Sequence, residues 1–413
     1  MTSEAAIGPV LGPALVRRNT FLLAATLTCL SGMLQLVVAV STITLVMVTG
    51  VESILGLGPA VFLASSAVAA LPAGRAMDRW ARMPVVAVGC VLGIAGCVVA
   101  AAGSGLESAP LVLLGFVMIG GSSGTVLLVR AAAADLYPPE RRARGISYVL
   151  FGSLFGAALG PLVFRPLLSG RHLDSGDLVI PYLAAGAIMT IGLCIALQVR
   201  PDPKVFAAST ARAHPDPAAG LAPPLREVLA RPGTVAAVIA AVTSFAVMVS
   251  VMNLTGYVVV GHGHAEEDIF TVISFHIIGM YSLVLVIGDM IDRIGRMPAL
   301  VGGLVVMAVS ALGLGWHSSV LWTSFCLFGL GLGWNVSYVA AAAHLSDVAA
   351  PSERGRLIGF TDLLSGFTGA ALALAGGAAY TAFGVLAIAV GATVIALAPI
   401  PLMLARREQP AVA

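Results

Sequence analysis

The chain has 413 residues, of which 59% are hydrophobic and only 10% are charged, and its net charge is +2 at pH 7. So few charged residues cannot cover the surface of a soluble globular protein, and so small a net charge gives no support for nucleic-acid binding. The composition therefore predicts an all-α integral membrane protein whose surface meets the lipid bilayer and which has no nucleic-acid partner.

Twelve apolar runs are long enough to cross the bilayer, which takes about 20 helical residues. The residues before the first run lack the charged start and cleavage site of a signal peptide, so we expect the first span to be retained. All five cysteines fall within apolar runs, which gives no sign of a disulfide framework. The predicted spans are 21–48, 54–73, 84–103, 110–134, 145–168, 178–198, 233–260, 268–290, 297–316, 319–344, 356–381 and 383–405.

Two loop motifs occur twice, at nearly the same distance in the chain. GRAMDRWARMP, which begins at Gly74, is repeated as GDMIDRIGRMP from Gly288. DLYPPERRAR, which begins at Asp135, is repeated as DVAAPSERGR from Asp347. Two independent motifs with one offset predict two similar halves of six helices each, as in the parallel repeats of secondary transporters.

A proline-rich polar stretch separates the two halves. We predict an N-terminal six-helix bundle over 1–198, a linker over 199–232 with a short surface helix within 221–231, and a C-terminal bundle over 233–413. All lysines and arginines except Arg130, Arg165 and Arg171 fall in the loops of one side or at the termini. The positive-inside rule then places both termini and these loops in the cytoplasm.

The first loop motif has a chemistry that can be argued from its residues. A glycine at a helix end lets two helices approach closely, and an aspartate four residues later can cap the N-terminus of a neighbouring helix. The arginines that follow can pair with acidic residues or lipid phosphates. The alternative is that these charges only fix the topology, although topology alone requires neither the glycine nor the aspartate.

With these motifs in place, the chain resembles the major facilitator superfamily over essentially its whole length. The resemblance implies two bundles that rock around a central cavity, which helices 1, 4, 7 and 10 line and which opens to one side at a time. It also implies that Asp78 contacts the start of the eleventh helix and that Arg82 contacts Asp135, so that the loops form a conformational latch. The latch residues would be Gly74, Asp78, Arg79, Arg82 and Asp135 in the first half and Gly288, Asp292, Arg293, Arg296 and Asp347 in the second.

The fifth span carries Gly152, Gly156, Gly160 and Pro161. Glycines at this spacing form a groove for a facing helix, and the proline kinks the span. The pattern resembles the antiporter motif of drug and metabolite exporters, although Phe164 and Arg165 replace the small residues that usually follow. Ordinary tight packing is the alternative explanation.

Polar residues within the spans are candidates for the substrate cavity. Trp334, Asn335 and Tyr338 lie near the middle of the tenth span at helical spacing, with interhelical packing as the alternative. Asn253 and Tyr257 in the seventh span and Gln35 in the first are further candidates. Polar contacts among apolar walls favour a semi-polar organic molecule over a bare ion.

Arg130 lies about 9 Å inside the fourth span, too deep for an unpaired guanidinium. We predict that it pairs with Asp362 of the eleventh span and that this pair either closes the cytoplasmic side or is replaced by an anionic group of the substrate. A structural pair with Asp135 is the alternative. No carboxylate lies deep in a span, so proton coupling would fall to His276 or Asp362.

These features predict a secondary transporter, namely a monomeric exporter of a small organic compound driven by proton exchange. The alternative is an uptake carrier for a nutrient or vitamin. The sequence shows no nucleophile with a base for an enzyme and no selectivity loop for a channel. It predicts no cofactor or metal, because the histidines and acids at 262–268 read best as a solvated turn. High alanine content and a single lysine favour a bacterial inner membrane.

Overall fold

The computed structural model of the chain describes residues 12–50, 57–168, 176, 178–207, 223–261, 263–264 and 266–405. Within these ranges the fold is all-α, and we number its membrane helices α1 to α12. They are α1 (Pro13–Thr49), α2 (Leu57–Arg79), α3 (Arg82–Gly105), α4 (Ala109–Val126 and Val129–Asp135), α5 (Arg142–Leu168), α6 (Val179–Ala196), α7 (Thr234–Gly261), α8 (Glu266–Tyr281 and Val284–Ile294), α9 (Arg296–Gly313), α10 (Val320–Val348), α11 (Arg354–Phe383) and α12 (Val385–Leu397 and Ile400–Ala405).

The helices confirm the prediction of an all-α membrane protein. Ten of them are long and apolar enough to cross a bilayer, and α8 makes an eleventh although it bends by 42° at its break. The remaining helix, α5, spans 27 residues and completes the twelve. Several helices extend beyond the predicted apolar runs, because an apolar run marks the hydrocarbon layer whereas the helix continues into the interface. In α1, for example, Arg17 and Arg18 belong to the helix.

The twelve helices form two six-helix bundles that repeat the same packing. In the first half α1 packs against α5, α2 against α4, and α3 against α4 and α6; in the second half the equivalent helices pack in the same way, α7 against α11, α8 against α10, and α9 against α10 and α12. The halves meet mainly along two helix pairs, α2 with α11 and α5 with α8. The exact boundaries of the two bundles and the linker stay a prediction.

Only the two ends of the predicted linker lie within the described residues. The later end contains the short helix Leu225–Ala230, which falls inside the segment predicted to be helical. The earlier end, residues 201–207, folds back against the first half, where Phe206 and Ala207 are buried. Both ends lie at the end of the bundle that carries the repeated arginine motifs, which we call the basic end.

Candidate functional site

Arg130 lies at a break in α4 and reaches across to the second half. The helix is interrupted at Leu127 and Leu128, and the Arg130 guanidinium donates a hydrogen bond of 3.3 Å to the carbonyl of Leu127. The side chain is 3% exposed, forms an ion pair with Asp362 of α11, and lies 5.0 Å from the ring centre of Tyr338 of α10. Burial of the Arg130 guanidinium between the two halves is therefore compensated by three contacts.

An aromatic column continues from this ion pair into the second half. The Tyr338 ring stacks on Trp334, with ring centres 4.8 Å apart, and Tyr281 of α8 meets Trp334 edge-on at 6.4 Å. We call Arg130, Asp362, Tyr338 and Trp334 the central cluster. Among the described residues, three of its buried polar atoms have no hydrogen-bond partner, namely Arg130 Nε, Asp362 Oδ2 and Trp334 Nε1. Unpaired buried donors and acceptors are costly, which favours their use in binding a ligand.

Asp78 joins the first half to the start of α11. Its carboxylate accepts hydrogen bonds from the backbone N–H groups of Gly355 (2.8 Å) and Arg356 (2.6 Å). These are N–H groups that the helix itself leaves unpaired, and the helix dipole adds to the attraction. At the crossing, a Cβ atom on Gly74 would lie 2.0 Å from the carbonyl oxygen of Gly355. Only glycine allows α2 and α11 to approach this closely.

Arg82 links Asp78 to α4 and to the loop before α11. The guanidinium is fully buried, with bonds of 2.8 Å to Asp78 and 2.8 Å to Asp135. It also donates to the carbonyl of Pro351 at 2.6 Å, and Arg354 forms a second ion pair with Asp135. Each of these four charged side chains thus has a hydrogen-bond partner in the opposite half, and the Arg354–Asp135 pair is an ion pair between the halves.

The second half has the same network, related by the repeat. Asp292 accepts a hydrogen bond of 3.0 Å from the backbone N–H of Arg144, at the start of α5. Arg296 pairs with Asp292 at 2.9 Å and with Asp347 at 3.0 Å, and it donates to the carbonyl of Pro139. Arg142 pairs with Asp347 at 2.7 Å. A Cβ atom on Gly288 would lie 2.6 Å from the Ser147 hydroxyl of α5.

Two residues of the predicted latch lie outside these networks. Arg79 and Arg293 are exposed, and neither forms an ion pair with a described residue. Each follows the capping aspartate by one position, which turns its side chain about 100° away on the helix surface. Their position suits contact with lipid headgroups rather than with the opposite half.

The ends of the linker contact the first network, which the sequence did not predict. Asp202 accepts hydrogen bonds from the backbone N–H groups of Arg82 (3.2 Å) and Met83 (2.8 Å), so it caps α3. Lys204 donates to the carbonyl of Asp78; burial and the nearby Arg82 charge lower the pKa of Lys204. At the other end, Arg231 forms a two-bond ion pair with Glu353, at 2.6 and 2.9 Å.

The glycines of α5 face α1 of their own half. A Cβ atom on Gly152 would lie 2.1 Å from the carbonyl oxygen of Ala24, and one on Gly156 would lie 2.4 Å from that of Thr28. The Thr28 hydroxyl also donates to the Gly152 carbonyl at 2.8 Å. The first two glycines of the motif therefore form an α1–α5 contact, and the side-chain positions of Gly160 and Pro161 lie outside the described residues.

The remaining predicted residues are distributed over several places. Asn335 is fully buried and donates to the carbonyl of Met280 at 2.5 Å, which places it in the α8–α10 interface rather than in the central cluster. His276 lies in the same interface, with Nδ1 at 2.8 Å from the carbonyl of Leu327. Gln35 is half-buried on α1. The side chains of Asn253 and Tyr257 lie outside the described residues.

Comparison with known proteins gives the family. The family model of the Major Facilitator Superfamily matches residues 36–337 and 260–413 of the chain. The riboflavin transporter RfnT of Brucella anthropi is 31% identical over 72% of this chain and 73% of its own length. The uncharacterized MFS-type transporter YdeG of Bacillus subtilis is 29% identical over 76% of this chain and 74% of its own length.

Solved structures share the fold at low sequence identity. The human organic anion transporter MFSD10 superposes with a TM-score of 0.76 at 16% identity, covering 95% of this chain and 100% of that one. The proton:xylose symporter XylE superposes with a TM-score of 0.79 at 14% identity, covering 95% of this chain and 96% of that one. With its twelve helices in two repeated bundles, the chain belongs to the major facilitator superfamily, whose members transport small molecules across membranes.

Proposed function

We propose that the chain is a proton-coupled symporter that takes up a planar heteroaromatic compound of the flavin type by alternating access. The proposal is carried by one observation: Arg130 is shared between Asp362 and the Tyr338 ring, next to a stacked tryptophan with an unpaired N–H group. The similarity to a riboflavin transporter supports the same substrate class.

The central cluster offers the contacts that such a substrate needs. Trp334 and Tyr338 offer aromatic rings on which a planar ring system can stack once it exchanges with the contacts that cover them here. The Trp334 indole and the Arg130 guanidinium are donors without acceptor capacity, so they suit the carbonyl and ring-nitrogen acceptors of a heterocycle. Ala241, Ala341 and Ala342 belong to the apolar part of the small cavity beside the ion pair.

The ion pair supplies a physical route to coupling. A substrate acceptor and the Asp362 carboxylate compete for the same guanidinium, so a proton on Asp362 releases Arg130 for the substrate. By linkage, the bound substrate then raises the affinity of Asp362 for the proton. Proton and substrate that favour each other's binding travel together, which makes the carrier a symporter. In a bacterial inner membrane with both termini in the cytoplasm, the proton gradient would drive uptake.

Efflux is the second candidate function, and the glycine pattern of α5 is the observation that favours it. Gly152 and Gly156 are accounted for by their contact with α1, so packing alone explains that part of the pattern. His276, the other predicted proton carrier, is hydrogen-bonded within the second half and is not part of the central cluster. Asp362 is therefore the residue on which we place coupling.

A transport assay separates these proposals. The purified protein is reconstituted in proteoliposomes, an inward proton gradient is imposed, and the flavin content of the vesicles is followed by fluorescence. Symport predicts that flavin supplied outside accumulates inside the vesicles and that a protonophore abolishes this accumulation. Trp334→Leu should also abolish it. Trp316→Leu, which changes an exposed tryptophan, is the control and should accumulate flavin normally. Loss of preloaded flavin on external acidification would instead establish antiport. If flavin does not move in either direction, the proposed substrate class is wrong.

A further inference from the structure

A large cavity lies away from the central cluster, on the flank of the first half. It has a volume of about 1050 Å³ and lies between α1, α5, α6 and α8. Its wall on α1 runs from Ala14 to Cys29, and the part from Arg17 to Cys29 covers twelve helical steps. At 1.5 Å per residue that is roughly 18 Å, about the depth of one leaflet of the hydrocarbon core. We call it the flank groove.

The walls of the flank groove accept only apolar groups. Phe21, Phe151 and Phe155 line it, with Phe21 72% and Phe155 56% exposed. Its threonines are already used: the Thr20 hydroxyl pairs with Tyr137 at 2.9 Å, and the Thr28 hydroxyl donates to Gly152. A ligand in the groove therefore finds hydrocarbon contacts and little hydrogen bonding, which does not suit a polar solute.

The mouth of the flank groove, at the basic end, is positively charged. Arg17 and Arg18 line it, both are exposed, and neither forms an ion pair with a described residue. Within the described ranges, Arg18 donates to the backbone carbonyls of Gln198 (3.0 Å) and Arg200 (3.4 Å). No acidic side chain is among the residues that line the groove in the described part of the chain. The charge is thus free to meet an anion at the level of the headgroups.

We infer that the flank groove binds one anionic phospholipid, with an acyl chain along α1 and α5 and the phosphate at Arg17 and Arg18. Leu285 of α8 closes the groove from the second half, so the site is shared between the halves. A lipid held there contacts both halves in the arrangement seen here, in which the basic end is closed. Bound lipid would therefore favour this state over one in which the halves have moved apart.

The test measures lipid binding to the purified chain in detergent by native mass spectrometry. Phosphatidylglycerol is compared with phosphatidylcholine that has the same acyl chains. Each basic residue beside an anionic lipid contributes about fivefold in affinity, so Arg17→Gln with Arg18→Gln should weaken phosphatidylglycerol binding about thirtyfold. Phosphatidylcholine should bind the parent chain weakly. Ala25→Phe, which fills the groove and keeps both arginines, should weaken both lipids.

The matched control is Arg141→Gln with Arg226→Gln, which removes the same charge from exposed sites at the basic end. Thermal unfolding of each variant checks that it is folded. Unchanged phosphatidylglycerol binding in the Arg17 and Arg18 variant, or equal weakening in the control, would overturn the proposal. Displacement of the lipid by the transported compound would also overturn it, because the groove would then be a substrate path.

Discussion

Arg130 of α4 and Asp362 of α11 form an ion pair that joins the first half of the chain to the second. Arg130 is buried and Asp362 is half-buried, and each partner keeps one buried polar atom without a hydrogen bond to a described residue. A buried pair of this kind stabilises little in itself, but removal of one partner leaves an uncompensated charge and costs about 3 to 5 kcal/mol. The pair is therefore suited to exchange one partner for a substrate or a proton.

Replacement of Asp362 by asparagine should separate binding from coupling. The side chain of the variant cannot take up a proton, and Arg130 is permanently released from its ion pair. Substrate should therefore bind at least as tightly as in the parent chain. The Kd for substrate should no longer fall as the pH is lowered. Substrate exchange should continue, but accumulation against a gradient should be lost. Asp289→Asn, which removes another ion pair between the halves, is the control and should accumulate substrate. Uphill transport by Asp362→Asn would contradict the assignment of the proton to this residue.

Replacement of Arg130 by alanine should abolish transport with normal insertion in the membrane. The change removes the donor for the substrate and leaves the Asp362 carboxylate buried without its partner. The exchanged pair, Arg130→Asp with Asp362→Arg, restores the charge balance and should recover part of the activity. Transport rate and Kd, measured for all three variants at equal expression, test this. Full activity in Arg130→Ala would eliminate both a gate and a binding role.

The two helix caps should act as latches on the basic end. Asp78→Asn weakens a charge contact with the start of α11 that is worth about 1 to 2 kcal/mol, enough to shift a nearly balanced equilibrium roughly tenfold. We expect lower transport and greater labelling of single cysteines placed at the basic end, with Asp292→Asn having an equal or smaller effect. Normal transport together with unchanged labelling in Asp78→Asn would show that these charges serve topology only.

Part of this arrangement could be predicted from the sequence because the motifs occur twice. Repetition identified Asp78 and Asp292, and the depth of Arg130 in an apolar run required a partner such as Asp362. The direction of side chains was harder to predict. Asn335 follows Trp334 by one position, so it faces α8, whereas Tyr338, four positions on, shares the Trp334 face. In the same way, glycine spacing in α5 indicates a close helix contact but not which helix provides it.

Contacts between distant loop residues could not be predicted. Asp202 caps a helix that begins 120 residues earlier, and no periodic pattern links the two positions. We expect Asp202→Ala to destabilise the protein by about 1 kcal/mol, the usual cost of a lost cap, and to lower its Tm in detergent by about one degree. Glu227→Ala changes an exposed acid in the short helix Leu225–Ala230 and serves as the control. Equal Tm values for the two variants would show that the cap contributes nothing measurable.

The crossing of α2 and α11 should be sensitive to a single methyl group. A Cβ atom at Gly74 would meet the Gly355 carbonyl at 2.0 Å, and both atoms belong to rigid helix backbones, so the helices must separate. Separation lengthens the bonds from Asp78 to the start of α11 and destabilises the closed basic end. Gly74→Ala should therefore increase cysteine labelling there and reduce transport. Gly391→Ala, in α12 with no atom within 4 Å of the added carbon, controls for the general effect of replacing glycine in a helix. If the two variants label and transport alike, the close approach of α2 and α11 does not hold the basic end closed.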